Sequence, residues 1–187
     1  MDEEIQFYLD DVQESMGKAL AHLNVEMSRI RAGKASPAML EGLRVDYYGT
    51  ATPVSQIANV SAPDARSLLI KPWEKNMVAE IVKAIRNSDL GLAPVADADG
   101  VRLNIPAMTE ERRRDLVKQA KHESETGKVR VRAIRKDVNE ALRKLLKDGA
   151  SEDAVKVAED KVQKVTDSSI AEVEKILSKK ESEIMTI

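Results

Sequence analysis

Cysteine is absent from this sequence of 187 residues, and aromatic residues make up only 3% of it. The first absence excludes a disulfide framework and thiolate chemistry, as is typical of a reducing compartment. The second indicates an aliphatic core built by long helices. No apolar run approaches the roughly 20 residues of a membrane-spanning helix, and the first residues lack the basic and apolar regions of a signal peptide. We therefore expect a cytoplasmic protein with no membrane partner.

An excess of one charge is also lacking, because 30 Lys and Arg stand against 32 Asp and Glu. The net charge of −2 gives no overall attraction to nucleic acid or to a membrane surface. Any such affinity must come from a local asymmetry of charge.

Three segments have the apolar spacing of long amphipathic helices. The first runs over Ile5–Ile30, where apolar residues recur every three or four positions and only Glu26 interrupts them. The second begins after Thr109, a good N-capping residue, and continues without proline to Gly149. The third begins after the N-capping residue Ser151. None of the three can bury its apolar stripe alone, so the pattern predicts an antiparallel three-helix bundle.

The region between the first two helices differs in character, because all six prolines lie between residues 32 and 106. Its short alternating and apolar runs predict four strands, at 43–48, 57–60, 67–70 and 101–105. The spacing of its apolar residues predicts a helix over 74–87, with Trp73 as a packing anchor at its start.

The sequence therefore predicts an α+β fold, an elongated bundle with a small domain inserted in it. Residues 1–31 and 106–187 would form the three-helix bundle. Residues 32–105 would form the inserted small α/β domain. The chain leaves and re-enters the bundle beside helix-breaking residues, which is an arrangement that can act as a hinge.

The second long helix carries the local asymmetry of charge, with thirteen basic residues against seven acidic ones between Glu110 and Lys147. Four of the basic residues each follow a residue of the apolar stripe by one position and so share one flank of the helix: Lys121, Lys128, Arg132 and Arg135. With no aromatic residues among them, they suit the phosphates of structured nucleic acid better than the stacking of bases. The alternative is a solvated flank that is ion-paired to the neighbouring helices.

Sequence patterns of enzymes are missing. There is no glycine-rich nucleotide loop, so we do not expect the chain to hydrolyse GTP or ATP itself. His22 and His122 lack metal-ligand spacing, and no serine has the context of a nucleophilic triad. We expect a protein that is not an enzyme and that needs no metal or cofactor.

Five motifs occur in a characteristic order and spacing. They are Arg29–Pro37 (RIRAGKASP), Val45–Thr50 (VDYYGT), Asn87–Leu92 (NSDLGL), Thr109–Arg113 (TEERR) and Lys128–Asp137 (KVRVRAIRKD). Together they resemble those of the bacterial ribosome recycling factors, and the resemblance covers essentially the whole chain.

The resemblance implies an L-shaped monomer, in which the three-helix bundle and a smaller β/α/β domain are joined by two linkers that permit rotation. Such factors bind the post-termination 70S ribosome, with the bundle on large-subunit ribosomal RNA. The small domain receives the movement of elongation factor G, whose GTP hydrolysis drives separation into subunits.

The resemblance also assigns residues. Arg132 and Arg135 match the arginines that grip ribosomal RNA, and Arg31 matches an arginine close to the same surface. Further residues that we assign to this surface are Arg112, Arg113, Lys121 and Lys128, and residues at the family's hinge are Ala32, Gly33 and Pro106. Lys136 stands where the family commonly has a second arginine, and a lysine loses the bidentate fork.

A rival hypothesis is a helical protein-binding adaptor or holdase, which the heptad spacing alone would allow. It predicts an exposed apolar stripe and affinity for polypeptide. The recycling hypothesis predicts a stripe closed inside a monomer and salt-sensitive affinity for ribosomes.

Overall fold

The computed structural model describes residues 1–31 and 33–186 of the chain. Its helices are α1 (Asp2–Arg29), α2 (Val78–Arg86), α3 (Glu110–Lys147) and α4 (Glu152–Met185). Its strands are β1 (Arg44–Tyr47), β2 (Thr50–Pro53), β3 (Ala58–Asp64), β4 (Ser67–Pro72), β5 (Pro94–Asp97) and β6 (Gly100–Asn104). The elements form two compact units, which we call the bundle unit (Met1–Arg31 with Glu110–Thr186) and the sheet unit (the intervening segment, up to Thr109).

The bundle unit consists of α1, α3 and α4, so the prediction of a three-helix bundle is confirmed. The ends of its helices follow the local rules of capping and charge. Asp2, Glu3 and Glu4 lie in the first turn of α1, where a carboxylate interacts favourably with the helix dipole. The hydroxyl of Ser151 accepts the amide hydrogen of Ala154 and caps α4.

The core of the bundle unit is aliphatic and contains a polar layer. Val12, Val131, Leu142 and Val162 are fully buried between the helices. Ser124, Thr166 and Ser169 are buried as well. Each of the three helices thus buries the stripe that its sequence pattern predicts, and the stripe that an adaptor or holdase would expose is closed.

The sheet unit contains two antiparallel sheets. One is the β1–β2 hairpin, and the other has four strands in the order β3-β4-β6-β5. Helix α2 packs against β1, β5 and β6, and the core of the unit is mainly apolar, with the buried Ser67 of β4 as a polar member. The four predicted strands are confirmed as β1, β3, β4 and β6.

The structure corrects three expectations for this unit. Strands β2 and β5 were not predicted, because their sequences, TATP and PVAD, contain few apolar residues and a proline each. Helix α2 begins at Val78 rather than at residue 74, because 75–77 form a short 3₁₀ turn. Trp73 is 68% exposed, so it is not a packing anchor.

The passage from β6 to α3 belongs to the sheet unit. The bundle unit resumes at Glu110 rather than at Pro106, because residues 105–109 are not helical. The side chain of Met108 lies against Gly33, where a Cβ atom would be only 2.5 Å from the methyl carbon Cε. The residues just before α3 are therefore packed within the sheet unit.

Candidate nucleic-acid interface

Arg132 lies on the solvent-exposed surface of α3. The Arg132 side chain is 51% exposed, and among the described residues it pairs with Glu125, whose carboxylate lies 3.5 Å from the guanidinium Nη1. Glu125 is itself 62% exposed. An exposed pair of this kind contributes at most about 1 kcal/mol, so a phosphate can displace the carboxylate. Arg132 is therefore exposed and only weakly paired.

Arg135 lies one turn further along α3 and is half-buried at the boundary with α4. Its Nη1 donates to Oε1 of Gln163 on α4 at 3.4 Å. Gln163 is neutral, so this hydrogen bond to the neighbouring helix leaves the charge of the guanidinium in place. Of the five N–H groups of an arginine, only one is used in this contact.

Lys128 behaves differently from the two arginines. Its ammonium group is ion-paired with Glu174 of α4, and only 17% of the side chain is exposed. Here the alternative interpretation of a flank that is paired to a neighbouring helix applies. Lys121 is exposed, and the described part of the chain gives it no ion pair.

A second ion pair between these helices lies further along α3, where Arg143 is 3.6 Å from Glu159 of α4. With Lys128–Glu174 and Arg135–Gln163 it forms a polar ladder along the boundary between α3 and α4. The sequence pattern shows the basic side of this ladder. It does not show the α4 side, because the register between two helices is set by packing and not by either sequence alone.

The remaining predicted contacts lie toward the N-terminal end of α3. Helix α1 runs antiparallel to α3, with Leu23 against Gly127. Arg31 is exposed and follows the end of α1 at Arg29. Arg112 is exposed in the first turn of α3. These residues share the half of the bundle unit that holds Lys121.

Arg113 is placed less favourably for a phosphate. Only 17% of its side chain is exposed, and its Nε is buried without a hydrogen-bond partner. The nearest carboxylate, that of Glu110, is 3.9 Å from its Nη1. Position 113 continues the core-facing stripe of α3, so the side chain starts from the buried side of the helix.

Of the three predicted hinge residues, the structure describes Gly33 and Pro106. Ala32 lies outside the described residues. Gly33 has φ of +76°, a left-handed conformation that favours glycine, and Pro106 is exposed. A side chain at position 33 would be strained and would also meet Met108.

No cluster of three or more His, Cys, Asp or Glu side chains among the described residues could hold a metal ion. No helix of this part of the chain is long and apolar enough to cross a membrane.

Comparison with known proteins gives one consistent result. The model of the family described as "Ribosome recycling factor" matches residues 23–185. The ribosome-recycling factors of Cytophaga hutchinsonii and Flavobacterium psychrophilum are similar to this chain, with 56% and 53% identity. The alignments cover 99% and 100% of this chain and 100% of each relative.

Solved structures are similar over nearly the whole chain. A solution structure of a ribosome recycling factor has 36% identity and a TM-score of 0.72, and the match covers 98% of both chains. A second chain has 42% identity and a TM-score of 0.60, with coverage of 97% of this chain and 98% of that one. It comes from models of the T. thermophilus ribosome recycling factor and the E. coli elongation factor G bound to the E. coli post-termination complex.

The sequence motifs, the folds of the two units and these matches all indicate the same family. The chain belongs to the ribosome recycling factor family, a family of non-enzymatic translation factors.

Proposed function

We propose that this protein acts in the cytoplasm as a monomer, binds the post-termination ribosome and, with elongation factor G and its GTP hydrolysis, separates it into subunits. The observation that carries the proposal is the exposed, base-rich surface of α3 in a chain of this family. A similar chain, 42% identical, is found with elongation factor G on a post-termination complex, which supports the same assignment here.

The bundle unit supplies the anchor in this proposal. Arg132 and Arg135 contact phosphates of large-subunit ribosomal RNA, and Lys121, Arg31 and Arg112 extend this surface toward the N-terminal end of α3. Lys128 and Arg113 contribute less, because each side chain is only 17% exposed. Three long helices with a continuous buried stripe give the stiffness that an anchor needs.

The sheet unit receives the movement of elongation factor G, and the linkers at Ala32–Gly33 and Pro106 act as the hinge. The left-handed conformation of Gly33 supports this role, since a backbone without Cβ can change φ and ψ at low cost. Because the chain has no nucleotide loop, the energy comes from the partner.

The test of the anchor is cosedimentation of the full chain with 70S ribosomes and with large subunits over a series of salt concentrations. Arg132→Ala should weaken binding and reduce the slope of log K against log salt by about one unit, because one phosphate contact is lost. Arg143→Ala is the matched control, since Arg143 is an exposed, ion-paired arginine of the same helix outside the proposed site. An unchanged slope for Arg132→Ala would remove Arg132 from the interface.

The test of the activity is light scattering of 70S ribosomes mixed with this protein, elongation factor G and GTP. We expect the signal to fall only when all three are present, and to fall more slowly with Arg132→Ala. Splitting that is equally fast without this protein would contradict the proposal.

A further inference from the structure

Two of the basic side chains of α3 that we assign to the RNA surface contact α4, and they meet partners of different charge. Lys128 meets the carboxylate of Glu174. Arg135 meets the amide of Gln163 at 3.4 Å. A carboxylate cancels the charge of its partner, whereas an amide oxygen accepts a hydrogen bond and leaves the charge in place.

The orientation of the Gln163 amide is fixed from its other side. Its Nε2 donates to Oδ1 of Asp167, one turn further along α4, at 2.8 Å. A carboxylate can only accept and a guanidinium can only donate, so the two contacts together leave one orientation of the amide. Asp167 thus holds Gln163, Gln163 holds Arg135, and the negative charge stays one side chain away from the guanidinium.

We propose that Gln163 is a positioning residue for the ribosomal RNA contact: it holds Arg135 in place without neutralising it, while Glu174 neutralises Lys128. The proposal rests on the proposed function, because it takes Arg135 as a phosphate contact. Helix α4 then sets which cations of α3 are available to RNA, although it supplies none of the predicted contacts itself.

Gln163→Glu is the sharpest variant, because it nearly preserves shape and turns the neutral contact into an ion pair. It also replaces the hydrogen bond to Asp167 with repulsion between two carboxylates, which favours the contact with Arg135. Full-length variants are compared by cosedimentation with large subunits between 50 mM and 400 mM salt, after circular dichroism has shown wild-type helix content. We expect the slope of log K against log salt to fall by about one unit and binding at about 0.1 M salt to weaken roughly tenfold. A wild-type slope would overturn the proposal.

Gln163→Ala separates position from charge. It removes the hydrogen bond to Arg135 but adds no negative charge, so the slope should stay that of wild type while binding weakens by roughly two- to fivefold. Binding equal to that of wild type would show that Gln163 does not position Arg135.

Arg135→Ala separates this proposal from the proposed function. In an Arg135→Ala background, Gln163→Glu should have no further effect on the slope. If Arg135→Ala has a wild-type slope while Arg132→Ala does not, the role of Gln163 is overturned and the RNA anchor stands. If neither variant changes the slope, the RNA anchor itself is wrong.

Glu174→Gln tests the other half of the comparison. It releases Lys128 from its ion pair, so the slope should rise by about one unit and binding should tighten. Glu159→Gln, which releases Arg143 outside the site, is the matched control and should leave the slope unchanged. A wild-type slope for Glu174→Gln would show that the ion pair with Glu174 does not keep Lys128 from contacting RNA.

Discussion

The bundle unit and the sheet unit are stabilised in different ways. In the bundle unit, long helices close a thin apolar stripe, and charged or polar side chains join α3 to α4 at its surface. In the sheet unit, short strands are joined by tight turns around a mainly apolar core. All the basic residues proposed to contact RNA lie in the bundle unit.

This difference indicates which substitutions each unit tolerates. A helix surface presents side chains with little constraint on the backbone, so the bundle unit can vary its charge without loss of fold. Turns and closely packed strands depend on backbone geometry, so the sheet unit is sensitive to single atoms at its glycines. Glycine substitutions in the two units therefore test the comparison directly.

Gly100→Ala should cause the largest change in the free energy of unfolding. Gly100 begins β6 at φ of +135°, and a Cβ atom there would lie 2.3 Å from the carbonyl oxygen of Ile70. Backbone strain and the clash with a backbone atom should together lower the free energy of unfolding by about 3 kcal/mol. Urea denaturation, with hydrogen exchange of peptides from 58–104, measures the loss.

Gly49→Ala is the control in the same unit. Gly49 also has a positive φ, of +87°, but nothing lies within 4 Å of the Cβ position. Only the conformational strain remains, so the loss should be about 1 kcal/mol. Equal losses at the two positions would show that contact with Ile70 does not matter.

Gly17→Ala should stabilise the bundle unit. Gly17 lies within α1 with no atom within 4 Å of the Cβ position, so alanine gains about 0.5–1 kcal/mol from lower backbone entropy of the unfolded chain. Thermal unfolding followed by circular dichroism measures the gain.

Gly127→Ala sharpens this prediction within the same unit. Its Cβ atom would lie 3.3 Å from Cδ2 of Leu23, which must then move by a few tenths of an ångström. The gain from helix propensity is offset by this contact, so we expect a smaller change in the unfolding temperature than for Gly17→Ala. A gain as large as that of Gly17→Ala would mean that α1 and α3 are not closely packed at Leu23.

The sequence predicted those features that depend on local pattern. The stripes from Ile5 to Ile30 and along α3 have helical spacing over many turns, so the three helices and the bundle followed from them. Strands β2 and β5 have four residues each and few apolar ones, so neither gave a signal above that of a loop. Their place in the sheets depends on pairing with distant residues.

The candidate interface, too, was predictable from the sequence only where it depends on a local pattern. The basic flank of α3 is visible in the sequence, and the resemblance added Arg31. Gln163 and Glu174 gave no signal, because their role depends on the register of α4 against α3. The depth of Arg113 also could not be predicted, since it continues the apolar stripe as a charged residue.

Asp64→Asn should cause the smallest loss of stability, and this loss should depend on pH. Oδ1 of Asp64 accepts the amide hydrogen of Arg66 at 2.8 Å in the turn between β3 and β4. This hydrogen bond lowers the pKa of the Asp64 carboxyl below its ordinary value. Because the pKa is lower in the folded state, the charged form stabilises the fold above the unfolded-state pKa of about 3.9, and the contribution is lost as pH falls through the folded-state pKa.

Thermal unfolding of wild type and Asp64→Asn between pH 7 and pH 3 tests this contribution. The wild type should have the higher unfolding temperature at pH 7, and the difference should shrink below about pH 4, where the carboxyl becomes protonated. Asp89→Asn, which removes an exposed carboxylate with no hydrogen bond in the described part of the chain, controls for the loss of one negative charge. A difference that stays constant down to pH 3 would show that the Asp64 charge does not stabilise this turn, and that the turns of the sheet unit depend on backbone geometry alone.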